Sequence, residues 1–137
     1  MPGFAASVRR FADKSKRKLT EVLQQSVIEL VREMQTTKAM GGNMPMDTGY
    51  LRASIKFSTS VMPQPQAGSR PVAGGAYSYA DGEVVSFASG LRYGQTVFIG
   101  YTAEYSAIQE YHNGFVKLAA QNWGAIVSRV AERLRVQ

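Results

Sequence analysis

Pro45-Met46-Asp47-Thr48-Gly49-Tyr50-Leu51-Arg52-Ala53-Ser54-Ile55 is the stretch on which the fold turns. Asp47 and Thr48 are short polar residues of the kind that accept a backbone N–H at the start of a helical turn. Leu51 is placed to enter a core, Ile55 opens a strand, and Arg52 is presented to Asp47 or to a neighbouring chain. Read locally, the segment connects a helix to a strand.

Upstream, no proline or glycine occurs from Phe4 to about Met40. Phe4, Val8, Phe11, Leu19, Val22, Leu23, Leu30, Val31 and Met34 recur mostly at three- and four-residue steps. That spacing predicts an amphipathic helix, with Gly41-Gly42 ending it through positive φ. Asp13-Lys14-Ser15-Lys16-Arg17-Lys18 interrupts the stripe, so residues 1–15 read as a separate or mobile basic arm.

Downstream, Ser54 to Val61 alternates apolar and polar residues and predicts a half-buried strand. Glu83 to Ala88 and Gln95 to Tyr101 read as two further strands in a hairpin with a long loop, Ser89 to Gly94. Between them, residues 62–82 carry Pro63, Pro65, Gly68, Pro71, Gly74 and Gly75, too many breakers for a buried element. A loop of that length in a small domain is functional or disordered. Thr102 is placed to cap a short helix through Tyr105, Ile108 and Tyr111, which Asn113-Gly114 closes. A last helix is expected from about Phe115 to Arg135, its stripe comprising Val116, Ala119, Ala120, Trp123, Ile126, Val127, Val130 and Leu134. The expected fold is α+β: a long N-terminal helix, an antiparallel sheet with a long loop, then a short helix and a C-terminal helix packed on one face.

The chain has 137 residues, 45% hydrophobic and 19% charged, which suits a single domain over 1–137 with a modest core. With no cysteine, disulfides, thiolate metal sites and thiol catalysis are excluded. Neither a leader nor a membrane span is expected, because nowhere do roughly 18 apolar residues run together. The net charge of +6 is uneven. Residues 1–38 hold eight Lys/Arg and four acids, residues 39–116 four and five, residues 117–137 four and one. An electrostatic partner is therefore expected at the terminal segments.

Glu104, Glu110 and His112 are the one group resembling a metal or acid–base site. Their spacing fits no metal motif, and positions 110 and 112 fall on different helix faces. Surface polar residues around a capped helix are the better reading. The lone histidine has no nucleophile elbow to serve, and the loop glycines lack the Gly-Lys-Ser/Thr of a phosphate loop. Neither an enzyme nor a cofactor is expected. Arg9, Arg10, Lys14, Lys16, Arg17 and Lys18, with Phe4 and Phe11 nearby, leave three readings open: a solvated helix face, a grip on an acidic protein, or contacts with DNA phosphates.

The connector has a second significance. Asp47-Thr48-Gly49, then Leu51-Arg52 and Ser54-Ile55, behind a long amphipathic helix and a proline, resembles the neck and tail-completion proteins of long-tailed bacteriophages, also described as head–tail joining or minor tail proteins. Phe98-Ile99-Gly100, then Tyr105 to Tyr111 with Glu110, and Gly114 before an alanine-rich closing helix, is similar to a second block of that family. The resemblance covers roughly residues 18–135. The chain departs from it in lacking Arg-Pro-Phe after Gly114 and in the length of the loop from Met62 to Gly82.

What the resemblance implies is a structural virion protein, made in the host cytoplasm. Copies would form a ring at the head-to-tail joint through which DNA passes, with portal or adaptor proteins above and tail-tube or terminator proteins below. A tail terminator capping the tube is the near alternative, and a small basic DNA-binding protein the alternative of another class. The motif residues carried over are Asp47, Thr48, Gly49, Leu51, Arg52, Tyr105, Glu110 and Gly114. The long loop would reach a neighbouring subunit by adding a strand to an open sheet edge.

Overall fold

A computed structural model describes residues 3–135, the side chains of residues 11 and 12 excepted. Phe11, a member of the expected stripe, falls outside the described side chains. The first helix, α1, runs unbroken from Phe4 to Gln35, so residues 4–15 continue a single helix. At 1.5 Å per residue its 32 residues span about 48 Å. It ends at Gln35, short of the glycine pair. Thr36 is extended, its hydroxyl donates to the Arg32 carbonyl at 2.7 Å, and Thr37 pairs with Met44 in an isolated parallel bridge. Gly41, at φ 92°, closes the 3-10 turn Lys38–Met40 instead.

The connector forms a one-turn helix, α2 (Tyr50–Ala53), followed by strand β1 (Ile55–Ser58). The Ser58 hydroxyl stops the strand by accepting the N–H groups of Ser60 and Val61 at 3.0 and 3.1 Å. Strand β2 (Phe98–Tyr101) pairs with β1 antiparallel, Ile55 opposite Tyr101 and Ser58 opposite Phe98. A two-stranded ribbon is marginal alone. Here Ile55 and Tyr101 bury against α1 residues Val27, Val31 and Met34 in one core.

The segment Glu83 to Ala88, expected as a strand, is helix α3 (Gly82–Ser89). Val84, Ala88 and Leu91 lie four and three residues apart, and all are buried in the core around α1. A short apolar run satisfies both the helical and the extended period, and packing selects the helix. The expected hairpin is accordingly replaced by direct pairing of β1 with β2.

Helix α4 spans Ser106–Asn113, and the expected last helix is two, α5 (Phe115–Gln121) and α6 (Trp123–Arg135). The break at Asn122 lets α5 bury Phe115 and Ala119 in the main core. Helix α6 buries Ile126, Val130 and Leu134 in a second cluster, against Val22 and Leu30 of α1. Glu29 of α1 holds Arg133 at 2.7 Å and Arg129 at 3.1 Å. Lys18 donates to the Leu134 carbonyl at 2.9 Å, a cation on the negative end of α6. The two helices thus run antiparallel. The expected α+β class is the one observed: a long N-terminal helix, an antiparallel sheet, and short helices including a C-terminal one. Among the described residues, no helix is long and apolar enough to cross a membrane.

Candidate functional site

Gly49 sits at φ 85°, a conformation that only glycine adopts without strain, and a Cβ there would strike the Tyr77 carbonyl. The approach is close because Tyr77 N–H donates to the Thr48 carbonyl at 3.1 Å, docking the long loop onto the connector. The cap position of α2 falls on Gly49 in place of the expected Asp47 or Thr48, and the Thr48 hydroxyl accepts the Tyr50 N–H at 3.2 Å in a turn leading into the helix. Leu51 is buried in the core. Asp47 is exposed and joins no ion pair among the described residues.

Arg52 points neither to Asp47 nor outward. Its Nε donates to the Gln35 carbonyl at 2.8 Å, on the negative end of α1, and its guanidinium lies 5.3 Å from the centre of the Tyr79 ring. Burial, reinforced by Asp81 and Glu83, pushes the Tyr79 hydroxyl up to about 12. Gln35 completes the junction. Its Nε2 donates to the Arg52 carbonyl at 2.8 Å, and its Oε1 accepts the Tyr101 hydroxyl at 2.7 Å. At 1% exposed, Gln35 is a buried polar hub joining α1, α2 and β2. The sequence reading missed it; the available signal was a glutamine four residues after Val31, on the core face of the helix.

In the second block, Glu110 caps α5, its two carboxylate oxygens accepting Val116 N–H at 2.8 Å and Lys117 N–H at 3.0 Å. A carboxylate is favoured there by the helix dipole. Gly114, at φ 68°, ends α4 and starts α5. Thr102 does not cap α4; its hydroxyl donates to the Ser54 carbonyl at 3.1 Å. Glu104 accepts Gly68 N–H at 2.8 Å and pairs with Arg70 at 2.9 Å, latching the loop. Glu104, Glu110 and His112 form no common site, and no group of three potential ligands for a metal occurs among the described residues.

The loop, residues 59–81, is tied down at further points. Gln66 N–H donates to Thr102 O at 3.0 Å, Glu104 N–H to Ser69 O at 2.8 Å, and the hydroxyls of Tyr50 and Ser69 lie 2.8 Å apart. Strand addition to a neighbour would first have to break these bonds.

Both motif blocks meet at one cavity of about 330 Å³, walled by Pro45 to Leu51 on one side and by Tyr105 and Gln109 on the other, with Pro71 of the loop between them. Its ionisable groups are Asp47 and two tyrosines. Burial, then Tyr50 and Asp47 nearby, raises the Tyr105 hydroxyl above its ordinary value. The cavity offers shape, an apolar wall and one rim carboxylate, without a nucleophile paired to a base.

The basic residues lie elsewhere. Arg9, Arg10, Lys14, Lys16 and Arg17 are exposed along the first half of α1, whereas Lys18 is partly buried against the end of α6. The chain matches no protein-family model, no curated protein and no solved structure.

Proposed function

We propose that this chain is a structural subunit of a ring at the head-to-tail joint of a long-tailed bacteriophage, with DNA passing through the ring and no residue acting as a catalyst. The resemblance of the two motif blocks supplies the kind of assembly. The observation that carries self-association is the first half of α1. Among the described residues, the earliest side-chain hydrogen bond from this helix to another element is that of Lys18. Phe4 and Val8, 86% and 48% exposed, continue the apolar stripe ahead of that point, and among the described residues neither joins a core cluster. An apolar stripe on a helix is stabilised by burial, at about 25 cal/mol per Å².

A neighbouring copy is the proposed cover. Helix against body is a head-to-tail contact, using different surfaces on the two partners, and repeats of it close into a ring when the rotation between copies divides a full turn. The cavity between the motif blocks has the size and apolar wall to take an aromatic side chain, and Asp47 on its rim suits a partner carrying Arg9 and Arg10. Of the motif residues, Asp47, Thr48, Gly49, Leu51 and Tyr105 line that cavity.

Imaging of purified virions tests the reading: density for this chain is expected as a ring between head and tail, and absence of the chain from virions refutes it. Deleting residues 1–14 is expected to leave an unfolding transition close to the parent's while abolishing ring density.

A further inference from the structure

The cations of this chain divide into two populations. Among the described residues, Arg32, Arg70, Arg129, Arg133 and Arg135 are each paired with a carboxylate. Lys16, Arg17 and Arg92 are not, and these three line one open cavity of about 620 Å³ with Thr20 and Tyr93. Arg92 comes from a turn 75 residues beyond Arg17, so only the tertiary fold brings them together.

That turn is held in place on α1. Gln24 Nε2 donates to the Leu91 carbonyl at 2.9 Å, the Thr20 hydroxyl accepts Tyr93 N–H at 3.0 Å, and the Gln95 side chain accepts Arg92 N–H at 2.8 Å. The Arg92 guanidinium rests one nitrogen on its own Leu91 carbonyl at 2.9 Å, keeping it beside the helix. Tyr93, 57% exposed, sets an aromatic face next to the cations. Upstream along α1 follow Lys14, Arg10 and Arg9, and the one carboxylate between positions 9 and 18 is Asp13.

We infer that Lys16, Arg17, Arg92 and Tyr93 form a binding site for the phosphodiester backbone of nucleic acid, which Lys14 extends along the helix. Three cations that form no ion pair with a carboxylate among the described residues, on two elements locked together, present positive charge to successive phosphates. The Tyr93 ring supplies an apolar wall for the sugars between them. An acidic protein segment fits less well, because a row of lysines and arginines beside one aromatic ring offers a carboxylate chain no matching apolar pocket. The site does not depend on the ring reading: it is complete within one chain.

The test is fluorescence anisotropy of a short labelled DNA duplex of mixed sequence, titrated with the full chain at several salt concentrations. Binding is expected to weaken steeply with salt, with a log–log slope of about −0.9 per phosphate neutralised. Arg92→Ala is expected to weaken binding several-fold and reduce the magnitude of the slope by about one. Arg92→Lys should restore most of both, which separates lost charge from a disturbed turn. Lys38→Ala removes the same charge in the turn that follows α1, whose end at Gln35 lies about 22 Å along the axis from Thr20, and should change neither quantity. The inference is overturned if Arg92→Ala and Lys38→Ala behave alike, or if poly-glutamate competes as well as DNA at equal charge.

Discussion

Replacing Gln35 by methionine keeps the volume of the side chain and removes its polarity, isolating the hub where α1, α2 and β2 meet. Two hydrogen bonds disappear, from Nε2 to the Arg52 carbonyl and from the Tyr101 hydroxyl to Oε1. Each is worth about 0.5–1.5 kcal/mol net, and stranding a buried partner costs about 1–3 kcal/mol. Tyr101 is 5% exposed, and burial holds its hydroxyl far above the ordinary value, so it stays a protonated donor with nothing to donate to. The expected destabilisation is about 2–4 kcal/mol, a large part of the roughly 5–15 kcal/mol that holds a domain together.

Tyr101→Phe removes the other partner, keeps the edge-on ring contact with Phe115 at 5.1 Å, and should cost about 1–3 kcal/mol by itself. Combined, the two substitutions leave neither group stranded, so the double variant should be more stable than the sum of the single effects by about 1–2 kcal/mol. Urea unfolding followed by the fluorescence of the single tryptophan, Trp123, measures all four proteins at constant m-value. Strict additivity, or a Gln35→Met midpoint indistinguishable from the parent's, refutes the hub.

The same unfolding assay distinguishes two glycines of nearly equal φ. Gly49→Ala, at φ 85° with the Tyr77 carbonyl in the way, should cost clearly more than Gly68→Ala, at φ 83° in open space, where only the backbone penalty of about 1–2 kcal/mol applies. Glu110→Ala should lower stability by about 0.5–2 kcal/mol through the lost cap of α5, with Glu110→Asp recovering little because its shorter side chain must span the same two N–H groups. Arg133 beside Glu29 holds that carboxyl below its ordinary value of 4.5. Its contribution to stability is therefore present above pH 4.5 and is lost as pH falls through the depressed value. Because both arginines are largely exposed, the effect should stay below about 1 kcal/mol, and Glu29→Gln should remove that part of the acid dependence of the unfolding midpoint.

Much of the fold is legible in the linear pattern because local rules and burial agree there. The stripe of α1, the Thr48 turn into α2, Leu51 facing inward and the strand starting at Ile55 each follow from period, propensity or turn chemistry within a few residues. The boundary errors share a cause. Helix α1 stops at Gln35 instead of running to the glycines because Met44, eight residues beyond Thr36, pairs with Thr36 and Thr37 in extended backbone. Helix α5 breaks from α6 at Asn122 because its two apolar surfaces serve two clusters on α1. Glu83 to Ala88 has β-branched valines and a period that fits either structure, and only the presence of α1 as a packing surface makes it a helix.

The candidate site divides in the same way. Arg52 and Glu110 stand out in the sequence as motif residues, yet their partners, the Gln35 carbonyl and the first N–H groups of α5, are properties of helix ends in three dimensions. The basic run at positions 9–18 is plain in the sequence. That Arg92 and Tyr93 join it is decided by a turn docked on Thr20 and Gln24. Sequence by itself determined which segments are amphipathic, where the charge is concentrated and that thiol chemistry is absent, since these depend on residue type and spacing alone. Tertiary structure decided which cations stay unpaired and which polar groups become hubs, because pairing and burial depend on neighbours that the chain supplies from far along its length.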